Sequence, residues 1–172
     1  FGALARREAP LAEQSEVLRC HAAHYLAAVK AARPDGDTWA QLDPDTHMSQ
    51  GSFEAALRAI GGVELAVDAV LSGAAGNAFV AMRPPGHHAE TATSMGFCLF
   101  GTVAIAAKYA LDRHGLSRVA VLDFDVHHGN GTQDLLWNEA RALFVSSQQF
   151  PLWPGTGRAE ETGAHGQIVN LP

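Results

Sequence analysis

The stretch Val119-Ala120-Val121-Leu122-Asp123-Phe124-Asp125-Val126-His127-His128-Gly129-Asn130-Gly131 decides the fold of this chain. Its first half is a near-continuous apolar run, the composition of a strand buried on both faces. Its second half sets two carboxylates and two imidazoles at the strand's carboxyl end, closed by a Gly-Asn-Gly turn. Side chains two apart on a strand share a face, so Asp123, Asp125 and His127 are predicted to point the same way. Carboxylates crowded on one buried face repel unless a cation or a hydrogen-bond network relieves them. Asp with His is a donor set suited to Zn2+. A pair of capping aspartates beside a helix start is the plain alternative, but it leaves the adjoining imidazoles unexplained.

Working outward, residues 78–82 form a short apolar run that reads as a buried strand. It empties into a Pro/Gly/His loop, residues 83–96, which carries Arg83-Pro84-Pro85-Gly86-His87-His88-Ala89-Glu90. Four of the nine histidines thus fall in two doublets, each at a predicted strand end. The others, His21, His24, His47, His114 and His165, are expected on the surface or at caps. Gly96-Phe97-Cys98 follows the loop. Alone it is a core aromatic beside a glycine, but next to the doublets it is a candidate channel wall.

Helices are predicted over 11–33, 51–71, 99–113 and 132–139. In the second, Phe53, Leu57, Ile60, Val63, Val67 and Val70 recur at helical spacing. Residues 41–50 read as polar and turn-rich, and 143–147 as another buried strand. Strands alternating with helices imply an α/β fold, a parallel sheet covered on both faces with ligand sites at the strands' carboxyl ends.

Composition narrows the function classes. The 172 residues, 47% hydrophobic and 17% charged, amount to about one domain (1–172) with enough apolar surface for a core. A net charge of −6 without a basic cluster argues against a nucleic-acid partner. Two cysteines, Cys20 and Cys98, are too few for a disulfide framework or a cysteine zinc site, so a reduced, cytoplasmic home is expected. Apolar runs break well before membrane-spanning length, and residues 1–10 lack the shape of a signal peptide. No Gly-rich phosphate loop follows the first strand, which argues against a nucleotide-binding domain. Oligomeric state is open, a homo-oligomer included.

Taken together, the Pro-Gly-His87-His88-Ala turn, Gly96-Phe97-Cys98, the Asp123-x-Asp125-x-His127-His128-Gly129-Asn130-Gly131 string, Ser146 and Pro154-Gly155-Thr156-Gly157 resemble the histone deacetylase family. That family also holds acetylpolyamine amidohydrolases and bacterial deacetylases. The resemblance runs from about residue 46 to 163, and Pro84-Pro85 and Asn130 look like its class II branch. It implies a three-layer parallel sheet of the arginase/deacetylase type, only part of it present in this chain. It also implies zinc-dependent hydrolysis of an acetyl or short acyl amide, with acetyl-lysine in proteins or acetylpolyamines as substrates.

Carried over residue by residue, the resemblance makes Asp125 and His127 zinc ligands, with a third Asp and a carbonyl-polarising Tyr expected from later sequence. No acidic residue follows Glu161, and the only tyrosines, Tyr25 and Tyr109, lie in predicted helices; with no initiating Met and a stop at Asn170-Leu171-Pro172 just after a strand-like run, both chain ends are expected to be cut. His87 is expected to bond Asp123, and His88 to bond Asn130. A carboxylate partner favours imidazolium, whereas an amide partner mainly orients the ring. His88 is therefore expected to be the general base and His87 the electrostatic partner. Gly96, Phe97 and Trp153 are expected along the substrate tunnel, with Asp45 at its rim. Asp123, Asp125, His127, Ser146 and Ser147 match a potassium site built largely of backbone carbonyls.

Two rivals carry their own signatures. Arginase-type hydrolases share the fold but need further carboxylates to bridge two metals, and Gly129 stands where one would be required. A non-catalytic module that binds acyl groups or partners fits a chain without the third ligand.

Overall fold

The computed structural model describes residues 4–172, so the first three residues of the 1–10 segment lie outside the described residues. The elements run α1 (Gln14–Val17), α2 (Ala23–Ala31), β1 (Trp39–Asp43), β2 (Thr46–Ser49), α3 (Ser52–Leu71), α4 (Thr102–Arg113), β3 (Val119–Asp123), α5 (Asn130–Leu136), β4 (Ala142–Ser147) and β5 (Ile168–Leu171).

The site is carried by a parallel three-stranded sheet in the order β3-β4-β5. Its register sets Asp123 beside Ser146 and Ser146 beside Asn170. Phe144 and Ile168 point from one face into a core with Ala104, Ala107 and Leu111 of α4 and Leu135 and Leu136 of α5. The expected cover is thus found on one face. On the other, Leu122, Leu143, Val169 and Leu171 are exposed, and no helix among the described residues packs there.

A second core joins α2, β2 and α3 to Leu99, Phe100 and Ile105. Phe100 meets Tyr25 and Phe53 edge-on at ring separations of 6.1 and 6.0 Å. Burying an aromatic of this size contributes roughly 1.5–3 kcal/mol. Helix α4 ties the two cores together, since Ile105 faces the first and Ala104 and Ala107 the second. No helix among the described residues is long and apolar enough to cross a membrane.

Four expectations are corrected. The helix over 11–33 is two helices. Ala22 has extended backbone because its N–H donates to Thr91 O, while the buried His21 ring accepts the Gly101 N–H at 2.9 Å. His21 is therefore a core residue rather than a surface or capping one. Residues 41–50 are not merely a turn-rich stretch, because β1 and β2 form an antiparallel hairpin through the Asp43-Pro44-Asp45 turn. Thr46 and Met48 face inward there, and Trp39 meets the His47 ring at 4.7 Å. The apolar run 78–82 is not a buried strand. It has no ladder partner among the described residues, and Phe79 is 92% exposed.

Candidate active site

Strand β3 ends at Asp123, earlier than the apolar run implied. Beyond it the chain is held by its own carboxylates. Asp123 Oδ1 accepts the Asp125 N–H at 3.1 Å, and Asp125 Oδ1 accepts the His127 N–H at 2.8 Å. These successive Asx-type turns fix the loop without a ladder. They also bring Asp125 Oδ1 to 3.1 Å from His127 Nδ1. Burial works against ionisation of Asp125, but the His127 N–H and the nearby imidazoles outweigh it and hold the carboxyl below its ordinary range. Among the described residues no group of three or more His, Cys, Asp or Glu side chains gathers as a metal cage.

The loop after residue 82 lays His87 and His88 against this edge. His87 Nδ1 donates to Asp123 Oδ2 at 2.9 Å, and His88 Nδ1 donates to Asn130 Oδ1 at 2.8 Å. The two rings lie 3.9 Å apart. The loop is anchored to the start of α5, where Thr132 N–H donates to His87 O at 3.0 Å. His88 is buried, and burial together with the adjacent His87 pushes it down to about 4. It is thus a neutral imidazole at pH 7, able to accept a proton. Gly129 has no room for a side chain, because a Cβ there would overlap the Asp123 carboxylate.

Trp153 stands edge-on to His88 at 4.6 Å and to His127 at 5.9 Å. Phe97 is exposed on the other loop and holds a left-handed φ of 65°. Such a conformation is costly for a bulky residue and must be imposed by its surroundings. Asp45 Oδ1 accepts the Gly96 N–H at 2.9 Å, Thr46 Oγ1 accepts the Phe97 N–H at 3.0 Å, and the Cys98 thiol donates to Gly96 O at 3.3 Å. Asp45 thereby holds the Gly96–Phe97 turn through its Oδ1. Phe97 and Asp45 line a cleft with His47, Arg83 and Pro84, and Trp153 does not border it. Ser146 is fully buried beside Asp123, and its Oγ has no hydrogen-bond partner, whereas Ser147 lies on the exposed face.

Several supporting residues escaped the sequence. Asn130 Nδ2 donates to Glu90 Oε1 at 2.7 Å and to Met95 Sδ at 3.3 Å. His128 is buried between Thr156 Oγ1 at 2.8 Å and Gln133 Oε1 at 3.1 Å. Gln133 Nε2 donates in turn to Glu161 at 2.7 Å. This network ties the loop bearing Trp153 to the strand end. A Gln on the buried side of α5 was the one local sign of it.

A parallel sheet whose carboxyl edge gathers two oriented imidazoles beside a carboxylate–imidazole donor pair defines an α/β protein equipped for acid–base chemistry. The histone deacetylase domain matches residues 2–172, and the chain belongs to the histone deacetylase family. It is 44% identical over 172 residues to the histone deacetylase-like amidohydrolase of Pseudomonas aeruginosa, covering 96% of this chain and 44% of that protein. A probable deacetylase of Archaeoglobus fulgidus is 42% identical over 164 residues, covering 94% and 45%. The crystal structure of the HDA15 HD domain superposes with a TM-score of 0.89 at 32% identity, covering 96% of this chain and 48% of that one. The fold is therefore that of the arginase/deacetylase type. The chain spans about half the length of these relatives.

Proposed function

We propose that the full-length protein hydrolyses acetyl or other short acyl amides, with acetyl-lysine or acetylated polyamines as substrates, in a cytoplasmic setting. One observation carries this: adjacent imidazoles held by unlike partners, His87 on a carboxylate and His88 on an amide, beside the Asp125–His127 donor pair.

The donor pair fits zinc. Asp125 and His127 would hold it, a carboxylate and an imidazole whose Oδ1 and Nδ1 atoms lie 3.1 Å apart. Bound zinc supplies Lewis acidity, bringing the pKa of water to about 7 and polarising the amide carbonyl. The orphaned Ser146 hydroxyl beside Asp123 likewise suits a potassium ion that would ease repulsion between Asp123 and Asp125.

The chain's own residues divide the proton work. Asn130 takes the Nδ1–H of His88, leaving Nε2 free to receive the proton of the attacking water and return it to the leaving amine. His87, oriented by Asp123, faces the developing oxyanion and stabilises it electrostatically. Trp153 screens His88 from water and narrows the approach, and Phe97 offers an aromatic wall on the neighbouring loop.

The second reading is acyl-group or partner binding without hydrolysis. Assay of the full-length protein on acetyl-lysine and acetylpolyamine substrates separates the two, with Asp125→Ala and His88→Ala as controls. Chelator-sensitive hydrolysis lost by about 10²-fold or more in His88→Ala is expected. Near-full turnover in that variant would falsify the assignment of the base, and absence of hydrolysis on any acyl amide would leave the binding reading.

A further inference from the structure

We infer that Glu90 is a positioning residue that fixes which nitrogen of His88 is the base. The inference rests on the proposed hydrolysis only for its kinetic consequence.

An asparagine amide has two ends of nearly equal shape and opposite hydrogen-bonding sense. The end that faces His88 decides the ring's tautomer. With Oδ1 towards the ring, His88 must carry its proton on Nδ1, and Nε2 keeps its lone pair. With the NH2 towards the ring, Nδ1 must accept, Nε2 must carry the proton, and no base is left facing the site.

Nothing in the Asn130–His88 contact itself selects between these states. The far side of Asn130 does. Glu90 Oε1 lies 2.7 Å from Nδ2, and Met95 Sδ lies 3.3 Å from the same nitrogen. An ionised carboxylate and a thioether are both acceptors only, so each demands a donor from Asn130. The NH2 group therefore faces Glu90 and Met95, and Oδ1 faces His88 at 2.8 Å.

Glu90 is itself fixed by backbone. Its N–H donates to Thr93 O at 3.0 Å in an isolated bridge that closes the loop just after the His doublet. Asn130 is buried at the first position of α5 and has little freedom beyond rotation of its amide. A charged acceptor on a fixed loop thus acts on His88 through a single amide, and touches neither substrate nor reacting atoms.

The test uses the full-length, zinc-loaded protein labelled with 15N-histidine, and Glu90→Gln and Glu90→Lys variants. Ring-nitrogen spectra, with the His88 signals assigned by their loss in His88→Gln, report the tautomer without any need for turnover. Wild type is expected to show Nδ1 protonated. Lysine is donor-only and should invert the amide, moving the His88 proton to Nε2 and lowering kcat about tenfold or more with KM little changed, because only the base-competent fraction turns over. Glutamine can accept or donate and is expected to give a mixture of tautomers and a fall in kcat of about two- to tenfold. It also serves as the test should the lysine variant fail to fold. Retention of the wild-type tautomer in the folded variants overturns the inference, as does a changed tautomer with unchanged kcat. If wild-type protein hydrolyses no acyl amide, the functional reading fails and the tautomer alone decides the role of Glu90.

Discussion

Trp153 meets His88 edge-on, with ring centroids 4.6 Å apart and planes inclined by 76°. The indole thus stands beside the imidazole assigned as the base, on the approach proposed for the acyl group. Replacement by alanine removes that wall while leaving the His88–Asn130 bond intact. The ratio of kcat/KM for butyryl-lysine over acetyl-lysine is expected to rise by about tenfold in Trp153→Ala, the usual worth of one or two methylenes in an apolar slot. An unchanged ratio in the full-length protein would place the acyl pocket elsewhere.

What was legible in the sequence was whatever is encoded locally. Helix α3 shows in the spacing of Phe53, Leu57 and Ile60, and β4 in an unbroken apolar run. The His doublets were legible because imidazole and carboxylate announce chemistry by residue type. The break between α1 and α2 was not, since it depends on Thr91 and Gly101, distant in sequence, bonding Ala22 and His21. Residues 78–82 misled for the converse reason: an apolar run has the composition of a strand whether or not a partner edge is there to pair with. Glu90 was hidden because its role passes through the orientation of an amide forty positions away.

Gly96 combines a left-handed φ of 57° with a position where a Cβ would overlap the His88 ring. Gly115 also has positive φ, 67°, but open space around it. Gly115→Ala is expected to cost about 1 kcal/mol from backbone alone, and Gly96→Ala about 2–4 kcal/mol, with displacement of His88. Urea denaturation of both variants measures the difference. Equal costs would mean that the loop yields rather than the ring.

The Tyr25 hydroxyl donates to Leu99 O at 2.6 Å and lies 2.6 Å from Ser94 Oγ, pinning α2 to both ends of the turn that presents Phe97. Burial pushes its pKa up to about 12, so it is a neutral donor at all working pH values. Tyr25→Phe leaves a buried carbonyl and a hydroxyl without this partner, at an expected cost of about 1–3 kcal/mol. Amide exchange should quicken at Gly96 to Cys98 and stay unchanged in β4. Uniform acceleration across the protein would show that the pin serves the fold as a whole and not the turn.

Glu64 and His21 pull stability in opposite directions with pH. Burial, then Glu16, pushes the Glu64 carboxyl up to about 7 from an ordinary 4.5. One of its oxygens is buried without a partner. A raised carboxyl pKa means that the folded state holds the proton longer, so this contribution is present below pH 4.5 and is lost as pH rises through 7. His21 is the reverse: burial lowers it to about 4, the unfolded chain takes the proton first, and stability is lost as pH falls from 6.5 towards 4. Glu64→Gln removes the first effect alone. Its denaturation midpoint is expected above that of wild type at pH 8, with the gap closing towards pH 4.5, while the acid-side loss due to His21 persists. A gap constant across that range would mean that the substitution acts through packing and that Glu64 does not titrate between the two limits.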